Sequence, residues 1–376
     1  MRARLDPRRI LVTLAAPAIA VAFAIFITSL VLLAAGDPVG QTWKTILDVG
    51  SQPRSISLIV NSATVFYLSA LAVAIGFRMN LFNIGVDGQY RLGVFTAAWV
   101  GSLISLPRPL HILTIVLVAM VVSALWAGIA GILKVTRGVS EVISTIMLNF
   151  IATGMIAYFL REVAVPVAGS NNIGTKLLPE SGRLGGLSLI PDSPLKIYGF
   201  IVVAALAGLG YSVMLNRTRF GFDLRATGRS ESAAVASGVN VKRMVVISML
   251  LSGAVAGLVG MPVLLGEAYS YSLAFPAGLG FTGIAIALLG RNHPVGIAIG
   301  ALLWAYLEVS ANPLQILVGV SSEIVTIMQG VIVLSVVVAY ELVRRYSIAQ
   351  QQRRVARELA AAEPPPREPQ EEVMKA

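Results

Sequence analysis

The chain has 376 residues, 56% of them hydrophobic and only 13% charged, with a mean hydropathy of +0.80. A soluble domain carries about 25% charged residues, so a composition this apolar excludes an ordinary water-soluble fold and requires lipid. The net charge of +10 does not mark a nucleic-acid partner, because Arg and Lys sit between apolar runs and at both ends rather than on one basic face, and the absence of cysteine excludes disulfides, thiolate metal sites and cysteine nucleophiles.

A helix needs about 20 apolar residues to cross a bilayer. Residues 10–35 meet that length behind Arg2, Arg4, Arg8 and Arg9. The run is longer than the core of a secretory signal, about 7–15 residues, and reads as an uncleaved first helix that starts in the cytoplasm. Further runs follow at 56–77, 81–106, 112–135, 139–160, 197–215 and 245–265, then a short piece at 281–289, and 295–309 and 324–342. The expectation is an all-α polytopic membrane protein of about ten transmembrane segments. Unbroken apolar runs, rather than alternation, argue against a transmembrane β-barrel.

Basic residues then orient the bundle. Arg78, Lys134, Arg137, Arg217, Arg219, Arg225, Arg229, Lys242, Arg243, Arg291, Arg344 and Arg345 collect on one side, which the positive-inside rule places in the cytoplasm with both termini. The expected organisation is a basic cytoplasmic N-terminus at 1–9, a membrane domain at 10–345 with an inner loop at 216–244, and a cytoplasmic, largely disordered tail at 346–376. That tail is rich in Gln, Arg, Glu and Ala and then in Pro364, Pro365 and Pro366. A weak echo between residues 141–147 and 323–328 suggests inverted five-helix repeats.

Polar residues interrupt the apolar runs at a few places. In residues 76–91, Asn83, Asp87, Gln89 and Arg91 should face protein or water, and Gly85 and Gly88 permit a broken helix. Two readings stay open there: a wall of a solute path, or a turn between helices with Asp87 paired to Arg91 four residues on. Asn149 and Glu308 lie deep within apolar runs and are further candidates to contact a polar solute. Glu141 and Glu323 open helices, where the dipole favours a carboxylate. His111 and His293 lack any metal-binding spacing and read as interfacial loop residues. Gly253 with Gly257, and Gly296 with Gly300, have the spacing of close helix packing.

In the inner loop, Ser230 is a good N-cap, Glu231 suits the first turn, and Gly238 can close a short helix in the left-handed region. Ala233, Ala234 and Ala236 between them would give a small face able to seat in a partner's groove. Arg in place of Ala234 is accordingly expected to block docking. The chain has no Gly-Lys dipeptide and so no phosphate-binding loop of its own.

The segments at 77–89, 140–149, 224–229 with 238–243, and 280–292 followed by Pro294 resemble the permeases of the ribose and branched-chain amino acid class of ABC importers. Within that class the chain is most similar to nucleoside or simple-sugar permeases. The resemblance implies alternating access powered elsewhere, with no chemistry in this chain and ATP and Mg²⁺ held by a partner ATPase. It implies cytoplasmic ATP-binding subunits, a second permease (a paralogue or another copy), an external solute-binding lipoprotein and an inner or plasma membrane location. It places Arg225, Gly228, Ser230, Glu231, Ala233, Ala234 and Gly238 in the region that couples to the ATPase. Two other functions compete: an ion-coupled secondary transporter that titrates Asp87 or Glu308, and an intramembrane enzyme, for which no polar catalytic set is present.

Overall fold

The computed structural model describes residues 7–167 and 172–362. Its helices are α1 (Pro7–Ala35), α2 (Val39–Ser51), α3 (Pro53–Phe77), α4 (Val86–Leu103), α5 (Arg108–Arg137), α6 (Glu141–Val163), α7 (Ile201–Arg217), α8 (Arg219–Arg229), α9 (Glu231–Ala236), α10 (Val241–Ala256), α11 (Met261–Val263), α12 (Leu279–Leu289), α13 (Pro294–Val318) and α14 (Ser322–Ala362). Each of the ten apolar runs contains helix, although the run at 245–265 is interrupted between α10 and α11. Six helices among the described residues are by themselves long and apolar enough to cross a membrane, or seven if α7 and α8, bent by 74° at Thr218, are one span.

The chain divides into two compact units. The larger, residues 31–329, holds the polar features described below. The other takes in the helical residues up to Leu30 and from Gly330 onward, and is marked at its polar end by an Arg345–Glu341 ion pair at 2.8 Å, one turn apart. The tail at 346–376, expected to be largely disordered, instead continues α14 as helix as far as Ala362. Residues 1–6 of the basic N-terminus and the proline-rich end at 363–376 lie outside the described residues.

At the centre of the larger unit is α3, whose Leu68, Ala70, Ala72, Val73 and Ala74 are completely buried. Around it, small residues allow close approach. On α5 the exposed stripe Leu113, Leu117, Val121, Leu125, Ile129 and Ile132 repeats every three or four residues, while Ala119, Ser123, Ala127 and Ala130 line the opposite side. Gly253 of α10 and Gly257 at its C-terminal cap lie directly on that small face: a Cβ added to either would strike the backbone around Ala119 or Ser123 at about 2.5 Å. The glycine pair is a packing seam, as its spacing suggested.

Three features were not legible as apolar runs. Helix α2 is amphipathic, with Thr42, Ile46 and Val49 buried and Lys44 and Leu47 exposed, and it packs on α13 where Tyr306 donates to the Ile46 carbonyl at 2.6 Å. The 81–106 run becomes helical only from Val86, because residues 79–85 leave the helix at Asn80, whose φ is 56°. His111 is not a loop residue. It sits fully buried in the first turn of α5, with Nδ1 2.8 Å from Ser181 Oγ and Nε2 2.9 Å from the Gly101 carbonyl. His293 caps α13 and is exposed.

Over one end of the bundle lie residues 164–167 and 172–200, with a short antiparallel pair Val165–Pro166 and Ile173–Gly174. They are tied down by Thr175 N to Tyr271 O at 2.8 Å and Leu184 N to Leu265 O at 2.8 Å. Burial and hydrogen bonding to Glu267 hold the Tyr198 hydroxyl well above the ordinary tyrosine range.

Candidate functional site

The α3–α4 junction is built from side-chain amides that replace missing helical bonds. Leaving the helix at residues 79–85 frees backbone groups that must find partners when buried. Asn83, 1% exposed, supplies one of them: its Oδ1 accepts from Gly85 N at 3.1 Å, and also from Gln89 Nε2 at 2.8 Å. Its Nδ2 donates to Gln89 Oε1 at 2.9 Å and to Ser252 Oγ at 2.8 Å. Ser252 in turn donates to the Ala72 carbonyl at 2.7 Å, linking α10 to α3.

From α6, Asn149 clamps the same segment: Oδ1 accepts from Gly88 N at 2.9 Å and Nδ2 donates to the Ile84 carbonyl at 3.0 Å. Glu141, at the start of α6, accepts from Lys134 Nζ at 2.5 Å and from Phe82 N at 3.5 Å, so its carboxylate bridges α5 to the junction. Asp87 opens α4, pairs with Arg91 at 4.0 Å and accepts from Gly280 N at 3.4 Å. Arg91 also reaches Thr153 Oγ1 at 3.3 Å.

The junction continues into the inner loop. Asn80 Nδ2 donates to the Gly228 carbonyl at 2.8 Å. A Cβ on Gly228 would collide with the Arg78 carbonyl oxygen and lie 3.1 Å from Met79 Cα. Arg78 itself donates to the Asn292 carbonyl at 2.6 Å, beside Tyr211, which donates to the same oxygen at 2.9 Å. Thus the last turn of α8 rests backbone to backbone on the break that follows α3.

Helices α8, α9 and the start of α10 enclose an open groove of about 1090 Å³. Arg219, Arg225, Arg229 and Arg243 line it together with one carboxylate, Asp223, which lies 4.0 Å from Arg219. The local fold follows the expected capping: Thr218 accepts from Gly221 N to start α8, and Ser230 from Ala233 N at 3.3 Å to start α9. Gly238, with φ of 82°, closes α9 while Val239 N bonds back to Ala234 O at 3.0 Å.

Residues 55–337 match the family described as branched-chain amino acid transport system, permease component. The chain belongs to this family. It is 35% identical to the guanosine ABC transporter permease protein NupP of Bacillus subtilis over 87% of this chain and 93% of that protein. It is 30% identical to the glucose ABC transporter permease protein TsgB13 of Haloferax volcanii, over 92% and 93% of the two chains. It is 31% identical to the nucleoside ABC transporter permease protein NupB of Lactococcus lactis, over 86% and 90%. The protein is thus a multi-pass membrane permease of the ABC transport class, a carrier rather than an enzyme.

In this permease the structure gathers Asn83, Asp87, Gln89 and Asn149 at one place, the junction, whereas Glu308 stands apart on α13. The amides of Asn83, Gln89 and Asn149 are turned to backbone and to one another. Of the inner-loop residues, Arg225 lines the groove and donates to Asn216 Oδ1 at 3.3 Å, and Glu231, Ala233 and Gly238 are exposed.

Ala234 requires a correction: it is only 2% exposed, set into the wall of the groove, while the other residues of α9, Glu231, Ser232, Ala233, Val235 and Ala236, are exposed. Helical periodicity across only six residues left the facing side undetermined from sequence. Ala234→Arg is therefore expected to lower the folded yield. Ala233→Arg is expected to keep normal membrane abundance and lose co-purification of the ATP-binding subunit. Normal co-purification at normal abundance would count against α9 as a docking helix.

Sequence reading missed Asn80 and Ser252, because a lone polar residue at a helix end or among small residues carries no motif.

Proposed function

We propose that this permease works within an ATP-driven importer of a nucleoside or simple sugar, moving its solute by alternating access. Of two cytoplasmic ATP-binding subunits, holding ATP and Mg²⁺, one docks on the α8–α9 surface of this chain, where Arg225, Ser230, Glu231, Ala233, Ala234 and Gly238 cluster beside Gly228 and the groove is strongly basic. A second permease, either a paralogue or another copy, completes the solute path, and an external lipoprotein delivers the solute to the 164–200 side. The protein sits in the inner or plasma membrane with both termini in the cytoplasm, in keeping with the basic residues at the α8–α9 end. The solute comes from the relatives' printed substrates: two act on nucleosides and one on glucose.

One observation carries the mechanism: Gly228 lies on the Arg78–Asn80 turn. Motion imposed on α8 and α9 by a closing ATPase pair passes directly to a place where the membrane helix is already broken. Asp87, at the start of the following helix, moves with it, while Asn83, Gln89 and Asn149 hold the wall's shape and Glu308 supplies a separate polar group along the path.

The test is uptake of guanosine and of glucose into vesicles carrying the assembled transporter. Uptake should persist when ion gradients are collapsed and ATP is maintained. Loss of uptake under those conditions would favour an ion-coupled carrier that uses Asp87 or Glu308.

A further inference from the structure

The outward side of α5 is apolar at Leu113, Leu117, Val121, Leu125, Ile129 and Ile132, as expected of a surface in contact with lipid. Helix α13 departs from that rule. Its first half exposes Val295, Ile299 and Leu302, whereas its second half exposes Glu308, Asn312 and Gln315 beside the apolar Ile316 and Leu317. The three polar residues are spaced by four and three residues, which stacks them on one helical face. Trp304, half-buried, stands one turn before Glu308 on that face.

The length of α12 explains why this face opens. Helix α12 has 11 residues and α13 has 25, or about 16 Å against about 37 Å at 1.5 Å per residue. The two pack side by side at the start of α13: a Cβ on Gly300 would lie 3.2–3.5 Å from Leu289 and Ile286 of α12. Ile297 and Ala301, fully buried there, lie on the same helical face as Glu308, Asn312 and Gln315. One face of α13 is thus buried and apolar beside α12, then exposed and polar farther along. A carboxylate and two amides within a membrane-spanning helix belong against water or a polar partner, not lipid.

We propose that Trp304, Glu308, Asn312 and Gln315 form a solute-contact site on the transport path, which takes the vicinal hydroxyls of a ribosyl or glycosyl solute. This rests on the importer reading above. A carboxylate accepts from two neighbouring hydroxyls, the amides offer both donors and acceptors, and the indole presents an apolar face to a base or sugar ring.

The chain has no cysteine, so single cysteine substitutions report without background from this subunit. In the assembled transporter in lipid nanodiscs, Asn312→Cys and Gln315→Cys should react with a charged methanethiosulfonate about ten-fold faster than Leu117→Cys, since access to water governs thiolate reaction. Saturating guanosine or glucose should slow that reaction, and the one that protects identifies the solute class. Reaction no faster than at Leu117→Cys would overturn the site and place this face against lipid or the second permease. Reaction indifferent to both solutes would also overturn it. Wild-type transporter is scored in parallel for ATP-dependent uptake of the same two solutes into proteoliposomes. Absence of all uptake overturns the importer reading itself, whereas normal uptake with unprotected cysteines overturns only the site.

Discussion

Gly228→Val is expected to abolish solute uptake while the permease remains membrane-inserted and close to wild-type abundance. The reason is a backbone contact that cannot relax by rotating a side chain. A Cβ on Gly228 meets the Arg78 carbonyl oxygen, with Met79 Cα 3.1 Å away, so α8 must lift from the turn that follows α3. Overpacking of this kind costs about 1–3 kcal/mol, and about 1.4 kcal/mol shifts a two-state equilibrium ten-fold. A transport cycle depends on such an equilibrium.

The expected signature in reconstituted complexes is continued ATP hydrolysis that no longer responds to loaded binding protein, with uptake down at least about ten-fold. Asn80→Ala removes the 2.8 Å bond to the Gly228 carbonyl and puts alanine at a φ of 56° that Asn tolerates better, and its uptake should fall between wild type and Gly228→Val. Uptake by Gly228→Val within two-fold of wild type would sink the proposed route from inner loop to broken helix.

The second large effect is on stability. Asn83→Ala removes a buried amide that satisfies Gly85 N, both polar atoms of the Gln89 side chain and Ser252. An orphaned buried polar group costs about 1–3 kcal/mol, and Gly85 N and the Gln89 amide lose partners together. The expected penalty is about 3 kcal/mol on that basis, read as a clear fall in thermal stability in nanodiscs and a lower yield. Ser252→Ala loses one bond to Asn83 and one to the Ala72 carbonyl and should be milder. An unchanged melting transition with lost uptake would instead make Asn83 a direct solute contact.

The long apolar helices were legible because burial in lipid imposes a one-dimensional rule, a run of sufficient length. The caps of the inner loop were legible for a similar reason: Ser230, Glu231 and Gly238 act on backbone within four residues of themselves. Helix α2 was not, since its buried Thr42, Ile46 and Val49 are separated by polar residues and only Tyr306 and its neighbours on α13 give them a place to go.

The polar residues divide the same way. That Asn83, Gln89 and Asn149 must avoid lipid follows from their chemistry. Which partner each amide takes depends on residues far along the chain: Ser252, 169 positions away from Asn83, or Ile84, 65 positions before Asn149. The readings of a turn and of a path wall could not be separated until those distances were known. The outward small face expected at Ala234 failed for the same reason, because α9 is too short for its own pattern to say which side the rest of the chain covers.

Composition, run length and charge placement determined by themselves that this protein is a polytopic helical membrane protein, since the cost of exposing polar groups to lipid acts on every residue regardless of its neighbours. Only the tertiary structure decided that the amides at the break are spent on backbone, that α8 rests on the Arg78–Asn80 turn, and that one face of α13 emerges polar beyond the end of α12. Each of these depends on two segments distant in sequence meeting at hydrogen-bond or van der Waals distance, and such meetings leave no local pattern to read.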